Sequence, residues 1–274
     1  ASFPAPERLS GCTVTVSCGN KVLVEYTVYE KQPEPIPEPA EPMKSPEEMK
    51  STEELYLAGT HLEQYRHATF EPADYYLEGL KRDSTDIRLN NSYGLLLYKR
   101  GRIKDSIPYF RAAIKKQTWK NPNPYSGECW FNLGLALMAD GQKEEAYDAF
   151  YKATWSAETQ SSAFYWLACL ASEKGAYEDA LDFASKSMLR NWHNMKARSL
   201  KAALLRKLGL DPSALLKESL EIDPLYMSCL YEQAVYDGRF DYWKEKMRGE
   251  SHNYLEVSLD YINAGFYEDA LSVL

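Results

Sequence analysis

Glu63 and His67 stand four residues apart, the spacing that would set two metal ligands on one face of a helix. A zinc site needs at least a third protein ligand, and the sequence suggests none nearby, so a helix-surface ion pair is the fitting reading of these two. The remaining histidines, His61, His193 and His252, join no such pattern. GxSxG, GxGxxG, HExxH and the phosphate-binding loop are all missing from the chain. Its 40 acids include no pair that spacing marks for glycoside chemistry. Cys12, Cys18, Cys129, Cys169 and Cys229 are odd in number and scattered, which suits small buried side chains better than a disulfide framework. The chemistry-bearing residues therefore predict no catalytic centre, no metal and no cofactor.

Composition narrows the class further. A net charge of −8 argues against general nucleic-acid binding. No run of 18 apolar residues reads as a membrane span, and no signal peptide is visible, so the expected compartment is cytoplasmic. Tyrosine is abundant at 21, with six tryptophans, as expected where large rings fill gaps between stacked helices.

The elements that position these residues show in a period. Gly141, Gly175 and Gly209 recur every 34 residues, and Ala146, Ala180 and Ala214 keep the same step. Glycine at 101, 141, 175, 209 and 265 suits the left-handed residue that ends a helix. Gly94, Gly134, Ala168 and Ala202 suit a close approach of two helices. The register gives helix-pair units near 52–86, 87–126, 127–160, 161–194, 195–226, 227–250 and 251–274, the sixth short and degenerate. The second carries six extra residues, in the proline-broken loop Trp119 to Tyr125.

Trp130-x-x-Leu133-Gly134-x-x-Leu137, followed by Gly141, Ala146-x-x-x-Phe150 and Ala153, resembles the tetratricopeptide repeat. The fold class implied is all-α, a right-handed superhelix of about seven helix pairs over residues 51–274.

The first fifty residues differ in kind. Cys12 to Ser17 and Val22 to Tyr29 alternate around Gly19-Asn20 and predict a β-hairpin pairing Val16 with Val22 and Val14 with Val24. Because the chain opens on Ala1 and an isolated hairpin is marginal in water, residues 1–30 are expected to be the last hairpin of an upstream β-domain. Residues 31–50, rich in proline and glutamate, read as a semi-rigid spacer.

The resemblance places function on a concave face lined by the first helix of each unit. Counting its ligand-facing positions yields Tyr56, Asn91, Tyr98, Phe131, Asn132, Met138, Tyr165, Trp166, Lys196 and Arg206 among the groove residues. Arg198 and Lys201 occupy positions that normally pack, in a unit unusually basic for an acidic chain, and read as carboxylate recognition, as a shifted helix that turns Ala197, Leu200 and Leu204 inward, or as stems packed over aromatic rings. The clamp with which one subgroup grips chaperone carboxylates is absent, since Asn91 and Leu95 replace its first pair and Ser162 and Trp166 its last. The expectation is a non-catalytic scaffold whose aromatic, partly basic groove binds a protein or peptide, the protein's own β-domain included, with a homodimer open and nucleic acid and membrane excluded.

Trp119 to Tyr125, Phe150 to Trp155 and Asn194 to Arg198 also look like the helical C-terminal region of large bacterial proteins with a β-rich, carbohydrate-enzyme-like N-terminal domain. That second resemblance implies the accessory part of a carbohydrate-active protein.

Overall fold

The computed structural model describes residues 4, 9–30, 35–39 and 41–274 and divides them into two units, one up to Lys44 and one from Ser45 onward. Part of the predicted spacer, residues 31–34 and 40, lies outside the described residues.

In the first unit β1 (Thr13–Cys18) pairs antiparallel with β2 (Lys21–Thr27). The register differs from the one expected. Cys18 pairs with Lys21 around the two-residue turn Gly19-Asn20, and a bulge opposite Val16 and Ser17 then sets Val16 against Val24 and Val14 against Tyr26. A two-residue loop fixes its closing pair, and the alternation of valines carried no sign of the extra residue.

The second unit is helical throughout. Among the described residues it holds fourteen α-helices in seven antiparallel pairs. They are α1 (Thr52–Tyr65) with α2 (Pro72–Arg82), α3 (Ile87–Lys99) with α4 (Ile103–Gln117), α5 (Glu128–Ala139) with α6 (Lys143–Ala153) and α7 (Gln160–Glu173) with α8 (Tyr177–Arg190). The series ends with α9 (Met195–Lys207) and α10 (Ser213–Ile222), α11 (Met227–Asp237) and α12 (Phe240–Met247), and α13 (Ser251–Asn263) and α14 (Tyr267–Val273). Local chemistry starts and stops them. The side chains of Ser51, Asp86 and Asn194 accept backbone N–H bonds at the starts of α1, α3 and α9. The recurring glycine just past α3, α5, α7, α9 and α13 has φ between +70° and +79°.

Within a pair the two helices fit by size. A Cβ on Gly59, Gly94 or Gly134 would fall 2.4, 2.9 or 2.6 Å from the ring of Tyr76, Phe110 or Phe150 on the following helix. At the equivalent positions of the fourth pair Ala168 and Ala184 are both fully buried, so a small residue answers a slightly larger one. α1 meets α3, α3 meets α5, and α7, α9, α11 and α13 meet in succession, so the odd-numbered helices form the inner layer of the superhelix.

Candidate functional site

Along that inner layer the predicted groove residues divide by what holds them. Asn132 on α5 donates to Asn91 Oδ1 on α3 at 3.0 Å, and Asn91 donates in turn to Glu128 Oε1 at 3.0 Å. Both asparagines are buried, so their amides join neighbouring pairs instead of facing a ligand. Tyr56 lies under the Arg88 guanidinium, 4.9 Å from the ring centre, and Arg88 pairs with Glu53. Phe131 tilts against Phe150 at 5.7 Å, and Trp166 lies parallel to that ring at 5.9 Å.

An open cleft remains between α3, α5, α7 and the last helix pair, with a volume of about 270 Å³. Tyr98, Leu135, Met138 and Trp166 form its apolar wall, and Ile262 and Tyr267 face them. At its rim Lys143 pairs with Glu173, whose Oε1 also accepts the Tyr267 hydroxyl at 3.0 Å. Of the predicted ligand-facing residues, Tyr98, Met138 and Trp166 line this cleft. Leu135, Lys143, Glu173, Ile262 and Tyr267 were not among them. Leu135 and Met138 lie three apart on α5, and so share a face. The wall from α13 and α14 comes from more than ninety residues away, as the Glu173–Tyr267 contact shows, and no local pattern could bring it there.

The basic end of the expected groove is corrected by the structure. Tyr165 is only 6% exposed within the core of α7, α9 and α13, and burial pushes its phenol well above the usual value. Lys196 donates to Asp260 Oδ1 at 2.9 Å, and Asp260 accepts Ser228 as well, at 2.7 Å. Arg206 grips Glu232 through Nε and Nη2, at 2.9 and 2.8 Å, and reaches Asp269 at 2.9 Å. Burial works against the Arg206 charge, but these carboxylates outweigh it and hold its pKa above the usual value. Lys207 sits 2.6 Å from Asp269 as well. Three acids from α11, α13 and α14 thus neutralise the patch that sequence alone left open to an acidic partner.

Arg198 is displaced further from that expectation. Its side chain is fully buried, donating to the Trp192 carbonyl at 2.8 Å and to Glu218 at 2.8 Å, with its guanidinium 4.3 Å from the Trp192 ring centre. This is the packing alternative, an arginine holding the α8–α9 corner. Lys201, one turn along the same face, is half-buried and makes no ion pair among the described residues.

Glu63 and His67 do not share a helix. α1 ends at Tyr65, and Arg66 turns the chain with φ 43°. Glu63 accepts Tyr76 at 2.8 Å and Lys99 at 3.1 Å, while His67 Nδ1 accepts the Thr69 N–H at 3.2 Å. Among the described residues no three of His, Cys, Asp and Glu gather as metal ligands.

Residues 93–163 match the tetratricopeptide repeat family. Solved structures similar to this chain include PilF of Pseudomonas aeruginosa, with a TM-score of 0.58 at 18% identity over 67% of this chain and 82% of that one. YrrB, described as a tetratricopeptide-repeat protein with an unusual peptide-binding site, aligns with a TM-score of 0.53 at 16% identity, over 66% of this chain and 89% of its own. A tetratricopeptide repeat protein from Parabacteroides merdae aligns with a TM-score of 0.50 at 15% identity, over 81% of this chain and 77% of that one. At such identities the likeness is one of fold. The helical unit has the fold of tetratricopeptide-repeat superhelices, and the family itself is matched over residues 93–163.

Proposed function

We propose that this tetratricopeptide-repeat array holds a protein segment in the cleft between α3, α5, α7 and the α13–α14 pair, and that it does so without catalysis. The observation that carries the reading is the cleft itself. Half-exposed Tyr98, Leu135, Met138 and Trp166 offer an apolar wall for one or two large side chains, and the Lys143–Glu173 pair at the rim offers a charge of either sign. Backbone groups of an extended segment would stay wet along the open side, as they must without a strand to pair with. Cross-linking from the cleft identifies the protein that supplies the segment.

The test is selection of binding segments from a random peptide library on the intact chain. Segments so enriched are expected to lose binding to Trp166→Ala and Met138→Lys, both on the cleft wall. Equal binding to those variants would refute the assignment. Tyr165→Ala is a poor probe, because that ring belongs to the core.

One observation favours a second reading, the accessory region of a bacterial carbohydrate-active protein. Three successive corners carry an exposed tryptophan, Trp119, Trp155 and Trp192, at 70%, 60% and 53% exposure. Each has a cation over one face, with Lys152 nearest at 4.0 Å from the Trp155 ring. Solvent-facing indoles are natural stacking surfaces for sugar rings. Retardation in gels containing polysaccharide, abolished by Trp119→Ala with Trp155→Ala, would support it, and unretarded wild-type migration would dismiss it.

A further inference from the structure

The last helix pair leaves the manner of the pairs before it. The corners that follow α2, α8 and α10 begin with an extended Asp83, Asn191 or Asp223. The corner after α12 is Arg248-Gly249-Glu250, where Arg248 and Gly249 are both left-handed, with φ 57° and 67°. Beyond it α13 lies against α7 and α9 as well as its neighbour α11. Ser172 donates to the Ala264 carbonyl at 2.8 Å, and a Cβ on Gly265 would fall 2.7 Å from Glu173 Cα, so the approach is backbone to backbone. The inner face of α7 and α9, where the fold would leave a groove, is filled by the chain's own end.

The fit has two chemical parts. Asp260 and Asp269 answer Lys196, Arg206 and Lys207. Between those acids Tyr261, Ala264 and Phe266 are buried in the same core as Tyr165 and Leu200. Lys196 at the start of α9 and Arg206 and Lys207 at its end, in a chain of net charge −8, make a surface selective for carboxylates on an approaching helical hairpin.

We propose that the inner face of α7 and α9 is a receptor for an acidic helical hairpin, and that α13–α14 is its built-in occupant. A partner hairpin with one acid on each helix, about nine residues apart across the turn and with aromatic and small residues between them as in Asp260 to Asp269, takes the place of this pair. The proposal rests on the reading of the array as a scaffold for protein segments and names a second, selective station on it. Opening is localised at the Arg248-Gly249 corner, so the first six pairs keep their stack when the seventh leaves.

Hydrogen exchange on the intact chain, together with a labelled synthetic peptide of residues 251–274, tests this. All slow amides of α13 and α14 are expected to share one level of protection, roughly tenfold or more below that of α7 to α10. Asp260→Asn combined with Asp269→Asn should lower it by a further 10–100-fold or so, the effect of losing charge-assisted hydrogen bonds. The double variant is expected to bind the peptide readily and the wild type only slowly, while a peptide with both acids changed to lysine binds neither. Exchange of α13–α14 in step with α7–α10, or protection graded from Leu274 inward, would overturn the proposal, and so would a peptide that ignores the double variant. None of these readouts depends on Trp166 or Met138, so failure of the open cleft and failure of this receptor are distinguishable.

Discussion

Replacing Gly134 by alanine tests whether the fit between paired helices is as tight as the geometry says. The added Cβ would stand 2.6, 2.7 and 3.0 Å from Phe150 Cε1, Cδ1 and Cζ, where ordinary contact begins at 3.4 Å, so the ring must retreat by the difference of 0.8 Å. It has nowhere to go. Phe150 is fully buried, with Trp166 stacked on it at 5.9 Å and Phe131 against it at 5.7 Å. Overpacking of this kind costs about 1–3 kcal/mol, and alanine regains about 1 kcal/mol of helix propensity over glycine. A net loss of up to about 2 kcal/mol is expected, or up to roughly 8 °C in melting temperature at about 2–4 °C per kcal/mol. Because Trp166 stacks on the displaced ring, its emission should shift as well. Adding Phe150→Leu should restore part of the loss. Thermal unfolding followed by circular dichroism and tryptophan fluorescence reads both effects. A Gly134→Ala protein that melts at or above the native temperature would show that the ring is free to move and that propensity, not packing, governs the position.

Arg206→Met leaves Glu232 buried without its cation, and an orphaned buried charge costs about 3–5 kcal/mol, so denaturant titration should show a loss of that order; a loss under about 1 kcal/mol would mean that the network is solvated. Arg198→Ala should destabilise by about 2–3 kcal/mol, through lost charge-assisted hydrogen bonds and its stacking on Trp192, while leaving peptide binding intact; unchanged stability with lost binding would return Arg198 to the groove. Burial pushes the thiols of Cys129, Cys169 and Cys229 up to about 12 from 9.0 and the phenols of Tyr165 and Tyr261 well above 10.0. Those folded values lie above the unfolded ones, so the stability they represent is complete below pH 9 and is lost as pH rises through 9 toward 12. A melting temperature that holds level from pH 8 to about 10.5 would contradict that burial.

The repeat register was legible because each of its marks has a local cause. Gly141, Gly175 and Gly209 end helices in a conformation that disfavours a Cβ, and Gly134 meets a ring 16 residues on in its own pair. The same locality explains the misreadings. Lys196, Arg206 and Lys207 look unpaired in sequence, because Glu232 comes from the next pair and Asp260 and Asp269 from the pair brought back by the turn after α12. Asn91 and Asn132 looked ligand-facing by position, but an interface between neighbouring pairs uses the same faces. A buried acid such as Glu232 carries one usable hint. A unit rich in cations at packing positions needs carboxylates from elsewhere, which places a debt of opposite charge on some distant helix.

The return of α13 to α7 alters what kind of object the array is. A solenoid in which each pair touches only its neighbours is effectively one-dimensional, and its folding can begin anywhere and spread by short steps. The bonds from Ser172 to Ala264 and from Glu173 to Tyr267 span 92 and 94 residues. Such contacts raise the contact order and require a long loop to close before they contribute. The first six pairs can therefore assemble quickly, while docking of the seventh waits on them and converts an open chain of repeats into a closed circuit. During synthesis the faces of α7 and α9 that α13 covers stay uncovered until α13 has emerged.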